Sequence, residues 1–389
     1  MSGMAIQTGA LFLDAYRELN ARKLFWITLA ISGVVVAAFA AVGLSPAGLT
    51  ILWWEIPNDW ANSKNIAPAV LYKFAFATMG IPIWLAWIAT ILGLVSTASI
   101  IPEFIAGGSI ELTLSKPIGR MRLFLTKYVT ALLFAALQVT VFSVAVFLLI
   151  GIRGSVWEPR VFLAIPLIVI FFSYLYCVCA LLGLLTRSTI AALLLTLLVW
   201  FVFFGVHTTE QVFLMLRETS TLKIGRAEGM IEQLKAQQTR QEAELVAARE
   251  EDAGSVRTTA AVNALDGTGQ AIGRRTQQLE DIRGTAGWME TTHRYVFYVK
   301  TALPKTAETV ELLERSLLST EDYDRFRPRQ EPPPFSLTGD DIKISQRALE
   351  KRLIEVLRER SVAWVIGTSL LFELLVVLVT LRIFARRDF

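Results

Sequence analysis

The side chains that could do chemistry are few and widely spaced in this sequence. Cys177 and Cys179 are two residues apart in an apolar run, so in a helix they point to different sides and would not pair with each other. His207, Met215 and His293 are residue types that bind copper or zinc, but their spacing matches no metal motif. We therefore predict neither a disulfide nor a metal site, and we interpret the cysteines as small core residues.

One acidic residue, Glu373, lies well inside a run apolar enough to cross a membrane. An unpaired carboxylate in lipid is costly, so Glu373 should face other helices or a dimer interface. Two interpretations stay open. The carboxylate belongs to a substrate path or gate, or it makes an interhelical hydrogen bond to a hydroxyl such as that of Ser143 or Thr196.

Catalytic motifs are missing from the chain. The dipeptide Gly-Lys does not occur, which excludes a Walker A loop that would cradle the phosphates of ATP. The zinc-protease pattern HExxH, a nucleophile elbow and paired-cysteine zinc motifs do not occur either. We therefore predict no catalytic residues, and no enzyme activity in this chain.

The composition indicates a membrane protein. Of the 389 residues, 54% are hydrophobic and only 19% are charged, with a mean hydropathy of +0.51. This balance excludes a disordered chain and makes an ordinary soluble domain a poor description. The net charge of +4 is small for this length and does not indicate nucleic-acid binding.

Six apolar runs have the length of about 20 residues that a membrane-spanning helix requires. The predicted spans are residues 24–44, 74–101, 128–152, 161–186, 188–206 and 361–381. The predicted fold class is an all-α membrane protein, with six transmembrane helices and a large, mainly helical domain inserted between helices 5 and 6. The first run is too long for a signal peptide and is read as a retained span.

Basic residues predict the orientation of these spans. Segments on one side carry more arginine and lysine than the short loops on the other, and the C-terminal tail of residues 382–389 is basic. The positive-inside rule therefore puts both termini in the cytoplasm. The predicted location is the cell membrane, or the inner membrane of a cell that has two. Four tryptophans fall on the predicted outer side as interfacial anchors, namely Trp53, Trp54, Trp60 and Trp157.

The N-terminal segment, residues 1–23, has an amphipathic pattern. Phe12, Ala15, Tyr16 and Leu19 share one helical face, which favours a cytoplasmic helix lying in the membrane interface. A plain cytoplasmic start to the first span is the alternative.

Residues 207–360 are polar and by the topology lie outside the cytoplasm. Apolar residues at helical spacing, with a turn signal at 252–254, predict a helical hairpin over about 216–282 with short coiled-coil character. A helix capped by Thr306 follows, and another begins near Asp340 and runs into the sixth span.

The most informative segment is the predicted cytoplasmic loop of residues 102–122. Pro102 should break the helix that leaves the membrane, and a pair of glycines permits a turn. Residues 109–115 suit a short amphipathic helix, which Pro117 would stop. The segment and the residues just after it contain Glu103, Gly108, Ser109, Ile110, Glu111, Leu114, Ser115, Lys116, Pro117, Ile118 and Lys127. This pattern resembles a stretch of ABC-2 type permeases, the membrane subunits of ABC exporters, in the branch described as multi-copper-enzyme maturation permeases.

The resemblance implies a role for the loop and a set of partners. In such transporters a short cytoplasmic helix docks on a separate ATPase subunit, so Glu103 to Pro117 would be the coupling element. Two copies of that ATPase would bind ATP and Mg²⁺ and supply ATP hydrolysis, since this chain is expected to hold no cofactor. The permease would act as a homodimer in the lipid bilayer, because six spans enclose little cavity alone.

Two functions stay open at this point. The chain is the permease of an ATP-driven exporter, with an outer domain that captures cargo, caps the exit or holds an extracytoplasmic protein partner. Alternatively it is a mechanotransmitting or scaffolding membrane protein that moves no substrate. The near absence of charge in the spans favours a lipidic cargo or none. A secondary transporter is a weaker interpretation, because Glu373 is the one acid well inside a span.

Overall fold

The structure is a computed structural model that describes residues 23–59, 61–106, 119–251, 256–319, 334 and 342–386. The predicted interfacial helix before residue 23, Trp60, the turn at 252–254 and the coupling residues from Gly108 to Pro117 lie outside the described residues. Over the described ranges the chain is mainly α-helical, as predicted.

Five described helical segments are long and apolar enough to cross a membrane. They are Pro68–Ile105, Arg120–Gly154, Pro159–Thr186, Thr189–Glu250 and Val362–Arg386. Helix α1, Lys23–Ala41, corresponds to the first predicted span, and its apolar part, Phe25–Ala41, is shorter. These segments are consistent with a membrane protein.

A small antiparallel sheet follows α1 where the sequence predicts the end of the first span. Strands β1 (Val42–Leu44), β2 (Gly48–Ile51) and β3 (Trp54–Pro57) pair in chain order. Glycine is required at position 48, where φ is +159° and an added Cβ would lie 2.1 Å from the carbonyl oxygen of Ile56. The sheet exposes Trp53 and Trp54, two of the predicted interfacial anchors.

The second predicted span is a chain of short helical pieces. Helix α2 (Pro68–Ala75) leads into a π-helical stretch, Phe76–Ala89, that contains Pro82, and helices α3 (Thr90–Thr97) and α4 (Ile100–Ala106) follow. A π-helix of this length is rare, and a proline inside a helix removes one of the hydrogen bonds that an α-helix needs. The predicted break at Pro102 lies slightly earlier, at residues 98–99 between α3 and α4. Pro102 itself lies in the first turn of α4, where proline is tolerated.

Two long helices form the centre of the apolar core. Helix α5, Arg120–Gly154, ends at Ser155 with a left-handed backbone, and helix α6, Ala164–Thr186, ends in the same way at Arg187. A 3₁₀ turn, Pro159–Leu163, joins them. Buried aromatic side chains from both helices, among them Phe142, Phe172 and Tyr176, hold this core together.

The remaining helices differ from the sequence prediction mainly in length. Helix α7 runs over Thr189–Glu251, so the fifth predicted span and the first arm of the predicted hairpin belong to one helix. Helix α8 covers Val256–Ala302 and extends well beyond residue 282. Helices α9 (Thr306–Leu317), α10 (Gln346–Glu359) and α11 (Val362–Arg386) complete the order. The N-cap of α9 is Lys305 rather than Thr306, and α10 ends before α11 begins.

The chain divides into two compact units. Unit 1 comprises Met1–Gly205, Thr301–Pro328 and Val362–Phe389, and unit 2 comprises Val206–Lys300 and Arg329–Ser361. The polar composition of residues 207–360 predicts that all of them belong to one outer domain. The structure instead packs α9 in unit 1, because Val310, Leu313 and Leu317 are buried in the same apolar cluster as α5 and α6.

Unit 2 is built on the pairing of α7 with α8. Ala227 and Ile231 of α7 form a buried cluster with Leu279 of α8 and with Ile342. Near residues 252–255 the hydroxyl of Thr258 donates to the carbonyl oxygen of an α7 residue, Ala248, at 3.3 Å.

Candidate functional site

Glu373 lies at the meeting point of three helices in unit 1. The hydroxyl of Tyr128 on α5 donates to Glu373 Oε1 at 2.7 Å, and the hydroxyl of Ser173 on α6 donates to Oε2 at 2.7 Å. Glu373 itself is on α11 and half-buried. Each carboxylate oxygen therefore has a hydroxyl donor from a different helix. Such a contact between three apolar helices fixes their mutual register, since a carboxylate left unpaired there is costly.

The partners of Glu373 differ from the two that the sequence suggested. Thr196 donates instead to the carbonyl oxygen of Ala192 on its own helix, at 2.7 Å. The hydroxyl of Ser143 is buried and has no hydrogen-bond partner among the described residues. The interhelical hydrogen bond is thus present, but with Tyr128 and Ser173, because tertiary packing rather than residue type decides which hydroxyl comes within reach.

A small cavity with a polar side chain lies elsewhere in the same unit. Ser32, Thr90 and Gln138 contribute to its lining, and its volume is about 20 Å³. The amide nitrogen of Gln138 is buried and has no hydrogen-bond partner within the described part of the chain. The cavity is large enough for about one water molecule, which requires roughly 10–15 Å³. It offers no room for a cargo molecule.

Helix α4 carries the first of the predicted coupling residues. Glu103 is exposed, whereas its neighbours Phe104 and Ile105 are buried in the core of unit 1. The ammonium of Lys127 lies 5.9 Å from the centre of the Phe104 ring, at the edge of cation–π range. Lys127, one of the residues that carry the resemblance, thus lies beside Phe104, which follows Glu103 in α4.

Close packing fixes α4 against α6. A Cβ added at Gly183 of α6 would lie 3.2 Å from Pro102 Cγ and 3.3 Å from its Cδ. Contacts this short require the neighbour to yield, so the absence of a side chain at 183 is what permits the approach. Helices α4 and α6 are therefore in direct contact at this point.

Unit 2 contains an ionic cluster that the sequence analysis missed. Glu210 of α7 is fully buried, and its carboxylate contacts His293 Nε2 at 3.1 Å, Lys300 Nζ at 2.6 Å and the guanidinium of Arg360. Phe297 lies beneath Arg360, with 5.7 Å between the guanidinium carbon and the ring centre. The side chains of Lys300 and Arg360 are themselves only 4% and 8% exposed.

The local sequence explains how these side chains converge. His293, Phe297 and Lys300 are spaced at four and then three residues along α8, so they share one helical face. The sequence analysis weighed His293 only as a metal ligand. The i, i+4, i+7 pattern of histidine, aromatic and lysine was the available signal, but the sequence does not reveal that Glu210 and Arg360 face it.

The charges around Glu210 govern its ionisation. Burial opposes the charged form and would raise the pKa of the carboxyl. The hydrogen bond with His293 and the charges of Lys300 and Arg360 outweigh that effect and hold the pKa well below its usual range. Glu210 lies four residues beyond the predicted span 188–206. Its carboxylate is thus a fixed negative charge that holds α7, α8 and residue 360 together within unit 2.

The described residues contain no group of three or more His, Cys, Asp or Glu side chains that could hold a metal ion. His207 lies on α7 and His293 belongs to the Glu210 cluster. Both cysteines are buried and free in the core of unit 1, and Cys177 donates to the carbonyl oxygen of Tyr174 at 3.1 Å.

Comparison with known proteins gives no relative. No protein-family model, curated protein or solved structure matches this chain.

Proposed function

We propose that this chain is the membrane subunit of an ABC-2 type transporter, driven by a separate cytoplasmic ATPase. The ATPase docks on the segment from Glu103 to Pro117, in two copies on a homodimer of this chain. ATP and Mg²⁺ bind to the ATPase alone. In this proposal the chain crosses the cell membrane six times, with α1 as the first span and both termini in the cytoplasm.

The observation that carries the proposal is the position of α4 next to the resembling segment. Among residues 100–105 of α4 only Glu103 is exposed, whereas Phe104 and Ile105 are buried, so the helix is anchored in unit 1 and presents Glu103 at its surface. The contact between Pro102 and Gly183 gives the anchored face a direct route to α6. A docking helix needs both properties to pass a movement from an ATPase to the spans.

A second observation favours movement of unit 2 over transport of a cargo. Both oxygens of Glu373 are occupied by hydroxyl donors, so this carboxylate is a structural contact rather than a free site on a substrate path. In this proposal the ATPase acts on unit 2, and α7, which contributes residues to both units, is one of the places where the chain passes from one unit to the other.

Affinity purification tests this proposal. The tagged protein is solubilised in mild detergent and purified, and the eluate is assayed for a Walker-motif subunit and for ATP hydrolysis. The test variant combines Glu111→Arg with Leu114→Asp in the coupling segment. The matched control, Glu244→Arg with Val246→Asp, makes the same kinds of change at exposed positions of α7.

The proposal predicts that the ATPase co-purifies with the wild type and the control and is lost from the test variant. Recovery of the ATPase with all three proteins would place the docking surface elsewhere. If the wild type carries no ATPase, the proposed family role fails.

A further inference from the structure

Unit 2 contains a cavity of about 250 Å³ between the two arms of the α7–α8 pair. We call it the hairpin cavity and define it by Leu216, Thr219 and Lys223 of α7, Ile282 and Met289 of α8, and Ile342. Its volume is many times the roughly 10–15 Å³ that one water molecule requires. Paired helices normally fill such positions with interlocking side chains, so a space of this size is a feature that needs an explanation.

The walls of the hairpin cavity are mostly apolar. Leu216, Ile282, Met289 and Ile342 contribute hydrocarbon and thioether surface from three different segments. Ile342 is 1% exposed, and its segment is held in place because Arg226 donates to the carbonyl oxygen of Lys343 at 2.7 Å. A flexible methionine beside branched aliphatic side chains suits a chain-like apolar group, because methionine adapts to irregular shapes.

One side of the cavity is polar and positively charged. Thr219 and Lys223 are four residues apart on α7, so their side chains are neighbours on one helical face. Thr219 is 4% exposed, and its hydroxyl has no hydrogen-bond partner among the described residues. Lys223 is 3% exposed and carries a positive charge with three N–H donors. A buried hydroxyl without a partner is costly, and a ligand that accepts its hydrogen bond would remove that cost.

These features together define the ligand. An apolar wall facing a hydroxyl donor and an ammonium group matches a small amphipathic molecule with an anionic head. Asp281, which is exposed and also lines the cavity, adds a negative charge that disfavours a doubly charged head. We propose that the hairpin cavity binds an alkyl carboxylate of medium chain length, with its carboxylate on Lys223 and Thr219 and its chain between Leu216, Ile282 and Met289.

This inference goes beyond the ATP-driven role proposed above and does not depend on it. The cavity lies wholly within unit 2, and its ligand is recognised by residues that take no part in ATPase docking. Loss of ATPase binding would leave carboxylate binding unchanged, so the two proposals fail separately.

The test is isothermal titration calorimetry of the full chain in lipid nanodiscs, with empty nanodiscs as the blank. Sodium octanoate is the probe, and 1-octanol is the matched ligand with the same chain and no charge. Lys223→Met removes the ammonium and Thr219→Val removes the hydroxyl at nearly constant volume. The controls are Lys235→Met and Thr239→Val, which make the same changes at exposed positions of the same helix.

We expect saturable binding of octanoate with one molecule per chain. Lys223→Met should weaken it about tenfold or more, since a hydrogen bond to a charged group is lost, and Thr219→Val severalfold. Ile282→Phe, which fills the cavity, should abolish binding in a protein whose thermal unfolding shows that it is folded. Octanoate heat no larger than that of empty nanodiscs, equal affinity in Lys223→Met and wild type, or octanol binding as tightly as octanoate would each overturn the proposal.

Discussion

Replacing Glu210 by glutamine should loosen unit 2 locally. The carboxylate is fully buried and is shared by His293, Lys300 and Arg360, of which Lys300 lies at 2.6 Å. Glutamine keeps the shape and one acceptor oxygen but removes the negative charge from among these partners. Breaking a buried ion pair by removing one partner costs about 3–5 kcal/mol. Because glutamine still accepts one hydrogen bond, we expect the local free energy of unfolding to fall by about 3 kcal/mol.

Hydrogen–deuterium exchange read by mass spectrometry measures this loss where it occurs. At about 1.4 kcal/mol per tenfold change, a loss of about 3 kcal/mol corresponds to roughly a hundredfold faster exchange for the amides around residues 293–300 of α8. Glu290→Gln is the matched control, because Glu290 is exposed on the same helix. It should change local stability by less than about 0.5 kcal/mol.

A double variant sharpens the test. If the destabilisation comes from an uncompensated charge, removing the cation as well by Lys300→Met should restore part of the protection, with a coupling between the two changes of about 0.5–3 kcal/mol. Exchange in Glu210→Gln within twofold of the wild type, or strictly additive effects in the double variant, would refute the assignment of the cluster as a structural clamp.

Three further predictions follow from the same contacts. The folded state lowers the pKa of Glu210, so the stability that its carboxylate contributes is fully present well above the unfolded pKa of about 4.3. That stability is lost as the pH falls from there toward the folded pKa, so the stability of unit 2 should fall less steeply with decreasing pH in Glu210→Gln. Gly183→Ala brings a Cβ to 3.2 Å from Pro102. It should destabilise unit 1 by about 1 kcal/mol or more in thermal unfolding and lower the coupled ATPase activity. In the control Gly33→Ala the added Cβ meets nothing within 4 Å, so neither assay should show a loss. Glu373→Leu should cost about 1 kcal/mol in thermal unfolding and Glu373→Gln less, because glutamine still accepts a hydrogen bond; equal losses would contradict the hydroxyl contacts.

Long apolar runs were the most predictable feature of this chain. A span requires about 20 apolar residues in a row, and that property is local, so α5, α6 and α11 could be predicted close to their observed ranges. The strands after α1 were not predicted because each has only three or four residues. They lie in a region where the apolar run continues into the first strand, and composition does not distinguish a short strand from a helix end.

The lengths of α7 and α8 show a different limit. The sequence changes from apolar to polar near residue 206, which suggests a boundary, but the helix continues because no proline interrupts it there. A change of solvent environment alters which residues suit a helix surface without ending the helix. Helix α9 was likewise predicted to belong to the outer domain because its neighbours in sequence are polar, although Leu313 and Leu317 pack in the core of unit 1.

Candidate sites were predictable only where one residue is unusual by itself. Glu373 could be identified because a carboxylate in an apolar run has to find a partner, yet its partners, Tyr128 and Ser173, come from segments 245 and 200 residues away in sequence. Glu210 follows a long apolar run and the next charged residue is Arg217, so its local sequence shows no charged partner. Its partners are 83 to 150 residues distant and are set by tertiary packing.

Site-specific photo-crosslinking from position 103 tests the central claim most directly. A photoreactive amino acid replaces Glu103, which is exposed on α4, and in a parallel protein it replaces Glu244, which is exposed on α7. Both proteins are irradiated in native membranes, and the crosslinked partners are identified by mass spectrometry. We expect position 103 to capture an ATPase subunit with Walker motifs and position 244 to capture none. Capture of the ATPase from position 244 and not from position 103 would contradict the assignment of α4 and the following loop as the docking element.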